Sequence, residues 1–275
     1  MKARPNCSPR RKLVMPNNPL TDEKYWSDIW DAQQHKVRHL RRVYVANRQL
    51  ARLFARALEG VSQPRLLEVG CADSLWLPFL AERYSATCYG VDYSEVGCQM
   101  ARRNLAMKGV EATIVCRDFF DFASESAENF DFVYALGVVE HFSDPTTILQ
   151  AMQSVLKPGG RLLVTLPNLE AFYTHIAKAM NPKRLATHQK IRPADLARDL
   201  EAVGFKELEV GYTGGAFKLS LVDFSASISL IGKRGHRALC KLINLADVVV
   251  ANTLAFAHVP NQRWTSPYVY GLCRK

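Results

Sequence analysis

Two histidines of the chain have the chemistry and the sequence setting to move a proton. His141 follows Glu140 in the run Gly-Val-Val-Glu-His-Phe, just after a predicted strand (130–135), and His188 lies in the run Thr-His-Gln-Lys. An imidazole gains and loses its proton near neutral pH, which suits a general base. A structural hydrogen bond is the alternative role for His141, and a plain surface-loop position is the alternative for His188.

The same region offers few metal ligands. Glu140, His141 and Asp144 are close in sequence, but their spacing matches no compact ligand set. We therefore expect no bound metal, and the two histidines are the candidate catalytic residues.

A glycine-containing turn between residues 65 and 74 is the second feature that could do chemistry. It reads Arg-Leu-Leu-Glu-Val-Gly-Cys-Ala-Asp-Ser, so a short apolar run ends at Gly70, and Asp73 or Ser74 can cap a following helix (75–83). A strand, turn and helix of this kind can bind a nucleotide, because the glycine allows close approach to the backbone and the helix N-terminus offers free N–H groups.

The turn departs from the dinucleotide fingerprint Gly-x-Gly-x-x-Gly, since Ala72 and Leu75 replace its second and third glycines. A second match strengthens the interpretation. Asp92 ends the next predicted strand (86–91), about 20 residues after the turn, where an acid can bind both hydroxyls of a ribose.

Composition indicates an ordinary globular chain. Its 275 residues are 48% hydrophobic and 23% charged, enough for a single elaborated domain with a substantial core. Seven cysteines without a Cys-x-x-Cys pair indicate free thiols in a reducing, cytoplasmic setting. The polar, proline-containing residues 1–20 predict a flexible basic tail rather than a secretory signal. The longest apolar run, 242–259, contains Asp247 and is not a typical transmembrane segment.

Positive charge is concentrated at the N-terminus. The net charge is +10, and residues 1–56 hold 13 Lys and Arg against 4 Asp and Glu. Such a segment could meet nucleic acid, anionic lipid or an acidic substrate, or it could be a solvated helix face with a tail.

Strand and helix patterns alternate between residues 65 and 166. The predicted strands are 65–69, 86–91, 111–116, 130–135 and 161–166, and Ser94 and Asp144 are predicted helix caps. A helix from Pro193 to Gly204, a strand at 205–212 and a final strand near 268–275 follow. The alternation predicts a parallel sheet with helices on both faces. Residues 168–192 are predicted to be an irregular basic stretch, and 216–259 an apolar, largely helical insertion.

Five motifs in register resemble the S-adenosylmethionine-dependent methyltransferases of the seven-strand Rossmann-like type, and among them the ubiquinone-biosynthesis O-methyltransferase-like group. The motifs are Leu-Leu-Glu-Val-Gly-Cys-Ala, Gly-Val-Asp-Tyr-Ser, Cys-Arg-Asp-Phe-Phe, Gly-Val-Val-Glu-His-Phe and Leu-Lys-Pro-Gly-Gly-Arg-Leu-Leu-Val-Thr-Leu-Pro-Asn. The resemblance covers residues 61–168, and more weakly 193–212 and 263–275. It implies sheet order 3-2-1-4-5-7-6 with the last strand antiparallel, in a domain (61–275) with substrate-side insertions at 168–192 and 213–262.

The resemblance also implies S-adenosylmethionine as cofactor and assigns residues to it. Glu68, Gly70, Cys71 and Ala72 would surround the methionine half, Asp92 would bind the ribose, Tyr93, Asp118 and Phe119 would contact the adenine, and Leu136 and Gly137 would line the cleft near the sulfonium. The alanine at 72 and the serine at 74 stand where the family usually has glycine, which leaves less room for the cofactor.

Helical patterns in the segment 21–59 support two interpretations. It could be an N-terminal helical lid over the cofactor, with Tyr25 or Arg48 reaching in, or a pair of helices packed on the core.

We expect a methyltransferase that acts on a hydroxyl oxygen of a small hydrophobic or amphipathic acceptor. The basic N-terminus motivates an RNA methyltransferase as the competitor, but no RNA-binding module is recognisable, which disfavours a nucleic-acid partner. A cofactor-binding accessory subunit without activity of its own is the third interpretation. The sequence predicts no particular acceptor or oligomeric state.

The insertion between residues 216 and 259 supports three interpretations. Its helices could cover the sheet edge, line an apolar acceptor pocket, or rest on a membrane with the basic link 233–237 facing anionic headgroups. The last interpretation would make a cytoplasmic protein peripheral to the membrane.

Overall fold

The computed structural model describes residues 20–31, 40–126, 129–180, 185–225 and 227–275. The predicted basic tail lies, apart from Leu20, outside these residues.

Seven strands form one sheet in the order β3-β2-β1-β4-β5-β7-β6, which confirms the predicted order. The strands are β1 (Arg65–Val69), β2 (Thr87–Asp92), β3 (Thr113–Cys116), β4 (Phe130–Leu136), β5 (Leu156–Pro167), β6 (Lys206–Thr213) and β7 (Tyr268–Arg274). The first five strands pair in parallel, whereas β7 is antiparallel to both β5 and β6, as predicted.

Helices cover both faces of the sheet. In the described residues they are α1 (Glu23–Asp31), α2 (Val45–Ala57), α3 (Trp76–Tyr84), α4 (Glu95–Met107), α5 (Phe119–Glu125), α6 (Pro145–Val155), α7 (Phe172–Met180), α8 (Pro193–Val203) and α9 (Ser227–Phe256), with short 3-10 helices at Val139–His141 and Leu219–Leu221. The predicted caps are present, since Ser94 accepts from the Gly97 amide at 3.2 Å and Asp144 from the Thr146 amide at 3.0 Å.

Strand β4 shows how the sheet supports an apolar layer on each face. Phe132 and Tyr134 point to the side where α2 and α3 pack, while Val133 and Ala135 point to the side of α6 and α8. All four side chains are fully buried. A central strand buried on both faces is typical of a parallel sheet.

Two local predictions were wrong. The stretch 168–192, predicted to be irregular, contains α7, because Tyr173 is buried there and donates its hydroxyl to the Ser266 carbonyl at 2.8 Å. Strand β5, predicted over 161–166, instead begins at Leu156, which pairs with Phe130 of β4. Contacts distant in sequence decide both elements.

The parallel register brings the chemical features to one edge. Val69 is level with Val91 of β2 and with Ala135 of β4. The glycine turn, Asp92 and the loop after β4 therefore follow neighbouring strands at their carboxyl ends, where open α/β sheets bind ligands.

Candidate active site

A cavity of about 1120 Å³ opens at the carboxyl edge of the sheet. Its walls are the loop after β1, the ends of β2 and β3, the loop after β4 and the N-terminal helix α1. This size is at the upper end of small-molecule sites and leaves room for a cofactor and an acceptor together.

Gly70 shapes the floor of this cavity. Its φ is +73°, and a Cβ there would lie 2.7 Å from the Val138 side chain, so only glycine fits without movement. The amides of Gly70 and Cys71 both donate to the Val91 carbonyl, at 2.8 and 3.2 Å. These bonds tie the turn to β2.

Asp92 lies directly beside the turn and is almost fully buried. One carboxylate oxygen accepts from the Ala72 amide at 3.0 Å, and the other accepts from the Ser94 amide at 2.8 Å. Each oxygen keeps a further lone pair that a ribose hydroxyl could use. Burial raises the pKa of this carboxyl, and the two amides oppose the rise.

Ala72, which departs from the family pattern, is accommodated by Gly97 on α4. The Ala72 methyl lies 3.0 Å from the position that a Cβ on Gly97 would take, at the start of α4. The extra methyl of the turn is therefore matched by a missing side chain opposite it. Sequence spacing alone did not indicate this pairing.

Glu68 is buried behind the turn and is held by Ser74 and by the Tyr134 hydroxyl, which donates to it at 2.9 Å. Burial raises the pKa of Glu68 to about 8, although both hydroxyls favour the charged form. Ser74 also accepts from the Leu77 amide at 3.1 Å, at the start of α3. The serine of the predicted turn thus links the Glu68 carboxyl group to the N-terminus of α3.

The predicted adenine residues surround one end of the cavity. Asp118 caps α5 by accepting from the Phe120 amide at 2.8 Å, and burial raises the pKa of its carboxyl. Phe119 is buried in the cavity wall, and Tyr93 donates its hydroxyl to the Asp22 carbonyl at 3.4 Å. Leu136 and Gly137 line the cavity beyond β4.

Helix α1 covers the cavity, whereas α2 packs on the sheet. Trp26 and Trp30 line the cavity, and the amide of Leu20, just before α1, donates to the His141 carbonyl at 2.8 Å. In α2, Phe54 is fully buried against Tyr134, with ring centroids 5.1 Å apart. The cavity contacts of this segment therefore come from α1, and its packing on the sheet comes from α2.

Neither residue predicted to reach in from this segment lines the cavity. Tyr25 contacts the Thr187 hydroxyl at 3.5 Å, outside the wall. Arg48 donates to Asn252 of α9 at 2.6 Å and to the carbonyls of Arg42 and Val43 at 3.0 Å. Arg48 joins α2 to α9, so we do not retain it as a cofactor ligand. Trp26 and Trp30 lie at helical spacing in the sequence, but their spacing alone does not indicate that they line the cavity.

The structure brings the two candidate histidines together. Their ring centroids lie 4.5 Å apart, although 46 residues separate them in sequence. His141 is buried in the cavity wall and its Nδ1 donates to the Thr187 carbonyl at 2.8 Å, which leaves Nε2 with a lone pair when the ring is neutral. Burial, with a smaller contribution from His188, lowers the pKa of His141 to about 4.

Glu140 completes this cluster. Its carboxyl is buried, its Oε1 lies 3.9 Å from His141 Nε2, and its Oε2 has no hydrogen-bond partner among the described residues. Burial raises the pKa of Glu140 to about 8, so it is mostly protonated at neutral pH.

The cluster has a set of ligand atoms that metal ions use, although the sequence predicts no metal site. One ligand atom from each of Glu140, His141 and His188 lies within 4.8 Å of the others. Asp144, the third ligand considered from sequence, is instead occupied in capping α6. The histidine distant in sequence replaces it in the cluster.

Comparison with known proteins identifies the family. A family model described as a methyltransferase domain matches residues 37–210. The ubiquinone biosynthesis O-methyltransferase of Idiomarina loihiensis is 27% identical over 184 residues, which span 64% of this chain and 72% of that protein. The protein of the same name from Xanthomonas euvesicatoria pv. vesicatoria is 31% identical over 190 residues, spanning 64% and 75%.

A solved structure shares the fold. It is phosphoethanolamine N-methyltransferase 2 of Haemonchus contortus, in complex with phosphomonomethylethanolamine and S-adenosylhomocysteine. Its TM-score is 0.57 at 16% identity, covering 83% of this chain and 52% of that one. The chain therefore belongs to the S-adenosylmethionine-dependent methyltransferases, with S-adenosylmethionine as its cofactor and methyl donor.

Proposed function

We propose that this enzyme methylates a hydroxyl oxygen of a small, largely apolar acceptor, with His141 as the general base. The observation that carries the proposal is the neutral imidazole in the cavity wall. His141 Nδ1 is fixed on the Thr187 carbonyl, so Nε2 is the free acceptor of a proton. An amine acceptor that arrives neutral needs no such base before transfer, whereas a hydroxyl does.

The cofactor would occupy the sheet side of the cavity. In this arrangement Asp92 accepts hydrogen bonds from both ribose hydroxyls, while Asp118 and Phe119 lie at the adenine. The turn at Gly70 and the loop after β4 would hold the methionine half. That loop also carries His141, so the methyl group and the base would face the same acceptor oxygen.

The protein's own residues then align the acceptor and move one proton. S-adenosylmethionine supplies an activated methyl group. His141 Nε2 takes the hydroxyl proton as the oxygen bonds to the methyl carbon, and the electrons of the broken S–CH₃ bond stay on sulfur. His188, half-buried beside His141, would pass the proton to solvent. Proximity and orientation contribute about 7–11 kcal/mol in well-aligned systems.

An apolar acceptor fits the part of the wall that the cofactor does not need. Phe142 and Ile148 line the cavity, and Trp26 of α1 lies edge-on to the His141 ring with centroids 5.1 Å apart. These side chains would exclude water from the transfer. The name of the relatives, ubiquinone biosynthesis O-methyltransferase, also favours a hydroxyl on an acceptor of this kind.

The test is transfer of labelled methyl from S-adenosylmethionine to a panel of phenols and catechols with and without apolar tails, beside amines and RNA. We expect transfer to hydroxyls, and a lower KM with an apolar tail. In His141→Ala, kcat should fall by about 10²- to 10⁴-fold while the affinity for S-adenosylmethionine, measured by calorimetry, stays unchanged. His188→Ala should lower kcat less.

His175→Ala is the matched control, because this histidine is exposed on α7 and does not line the cavity. Unchanged turnover in both His141→Ala and His188→Ala would exclude the base assignment. Transfer to RNA or to amines alone would exclude the acceptor class, and tight cofactor binding with transfer to no acceptor would favour an accessory role. Assays with and without a chelator separate a base from a metal at the same cluster, since only a metal site loses activity on chelation.

A further inference from the structure

Helix α9 is attached to the fold by one face only. Ile243, Asp247 and Ala251, spaced by four residues, form this docked face and are all buried. Asp247 accepts from the amides of Leu219 and Ser220 at 2.7 and 3.0 Å. The helix is thus anchored by a buried carboxylate and, through Asn252, by the hydrogen bonds to α2.

The opposite side of α9 is an exposed apolar stripe. Successive helix residues are rotated by about 100°, which places this outer stripe away from the docked face. The outer stripe consists of Leu242, Leu245, Val249 and Phe256, with exposures of 65%, 59%, 55% and 86%. Single exposed apolar residues are ordinary, but four large ones along one side of one helix indicate a contact surface.

The first half of α9 adds positive charge beside the stripe. Lys233, Arg234, Arg237 and Lys241 are all exposed. Between residues 224 and 259 the only acid is Asp247, whose carboxylate is buried in the docked face. Apart from the histidines, the exposed charged side chains of this segment are therefore all lysine or arginine.

The helix also bends at its basic end. Gly232 has φ +68° and ψ 172°, outside the helical range, so the short turn before it points in another direction. That turn ends in Leu230 and Ile231, which are 84% and 50% exposed. Apolar side chains therefore lie on both sides of the basic residues.

This combination fits an anionic lipid bilayer better than a second copy of the chain. In a two-fold contact through the outer stripe, the four cations of each copy would meet no exposed acid on the other copy's α9, because Asp247 is buried. Acyl chains and anionic headgroups instead match a long apolar stripe with lysine and arginine beside it.

The attachment of α9 to the fold determines how this helix could lie relative to a membrane. By length and composition, Leu230–Phe256 is the one helix in the described part of the chain that could cross a membrane. Its docked face, however, holds a carboxylate and packs on the protein. A helix held in this way can lie in the membrane surface but cannot be surrounded by lipid.

We propose that α9 is a membrane-docking surface, with the outer stripe inserted among acyl chains and Lys233, Arg234 and Arg237 on anionic headgroups. The proposal goes beyond the methyl-transfer chemistry and does not depend on the acceptor class. It gives the enzyme an orientation on the membrane, from which an apolar acceptor dissolved in lipid could be reached.

The test is co-sedimentation of the full chain with vesicles of phosphatidylcholine alone and with about 30% phosphatidylglycerol. We expect binding to the anionic vesicles that weakens with added salt. Changing Lys233, Arg234 and Arg237 together to Gln should weaken binding about a hundredfold, from about 1 kcal/mol per basic residue. Arg52, Arg83 and Arg103, exposed on other helices, changed together to Gln are the charge-matched control and should bind as the wild type does.

The stripe is tested by Leu245→Glu with Val249→Glu, against Met107→Glu, an equally exposed apolar residue on α4. Only the first variant should lose vesicle binding. All variants should keep their affinity for S-adenosylmethionine and their transfer to a water-soluble acceptor, which shows that they fold.

Absence of wild-type binding to anionic vesicles would overturn the proposal. Binding that Leu245→Glu with Val249→Glu leaves unchanged would overturn it as well. If sedimentation instead shows a dimer that this variant dissociates, the stripe is a contact between copies of the chain. Loss of methyl transfer in the wild type with vesicle binding intact would contradict the proposed function and leave this one standing.

Discussion

The cofactor side of the molecule and the side that follows β5 differ in how their residues are held in place. The cofactor side is built from short loops at the ends of β1, β2 and β4, where backbone amides and a buried carboxylate fix one another. The side that follows β5 is built from insertions, with α7 and α9 attached by a few side chains each. The first arrangement suits a ligand that is the same in every reaction, as S-adenosylmethionine is. The second suits a surface that determines which acceptor is used.

If the cofactor side depends on backbone placement, a single added side chain in the turn should have the largest effect. Gly70→Val must be built at a positive φ and against Val138, so the turn has to move. We expect the affinity for S-adenosylmethionine to fall more than a hundredfold by calorimetry. Gly109→Val is the control, because Gly109 has a similar φ of +62° but nothing within 4 Å. Equal losses in both variants would mean that strain alone, and not the turn, is responsible.

Asp92→Ala tests the side chain that the turn surrounds. It removes the ribose acceptor and also leaves the amides of Ala72 and Ser94 without their partner. Hydrogen bonds to a charged group are worth about 1.5–3 kcal/mol, so affinity should fall roughly ten- to a hundredfold. Asp92→Asn, which keeps one carbonyl oxygen, should fall less. An unchanged affinity in Asp92→Ala would place the cofactor elsewhere.

The cofactor side could be predicted in detail because its signals are local. The strand, the glycine, the capping serine and the acid at the end of β2 occur within short windows, and each is placed there by the local backbone. The sheet order, including the antiparallel β7, came from the family resemblance, since it depends on pairings between strands far apart in sequence.

The second side was predicted less well for the same physical reason. Helix α7 depends on Tyr173 reaching Ser266, and the cluster at Glu140 depends on His188 folding back over 46 residues. On the cofactor side, the pairing of Ala72 with Gly97 is also a contact between two separate elements. Such contacts leave no periodic signal in the chain, and propensity reasoning cannot supply them.

The buried carboxyl behind the turn gives a pH-dependent prediction. The pKa of Glu68 is about 8 in the fold, against 4.5 for an exposed glutamate. Between these values the unfolded chain has lost the proton that the folded protein keeps, so the group makes the free energy of unfolding decrease as pH rises. Relative to Glu68→Gln, the wild type should lose up to about 1.4 kcal/mol per pH unit from about pH 4.5 to 8.

The free energy of unfolding of each protein is measured with urea across this pH range. Glu140 is present in both the wild type and Glu68→Gln, so its contribution cancels in the difference. A constant difference between wild type and Glu68→Gln would show that Glu68 is already ionised in the fold.

The smallest expected effect separates the two sides most directly, because it concerns Arg48, which is predicted from sequence to reach the cofactor and in the structure bonds to α9. Arg48→Met removes the bond to Asn252 and those to the carbonyls of Arg42 and Val43. We expect a loss of about 1 kcal/mol in the free energy of unfolding, since these bonds join α2 to α9 and to the segment before α2. Affinity for S-adenosylmethionine should stay the same. Arg52→Met, exposed on the same helix, is the control for lost charge and should change neither quantity. A lower cofactor affinity in Arg48→Met alone would return Arg48 to the cofactor side, and would mean that α2 moves toward the cavity when the cofactor binds.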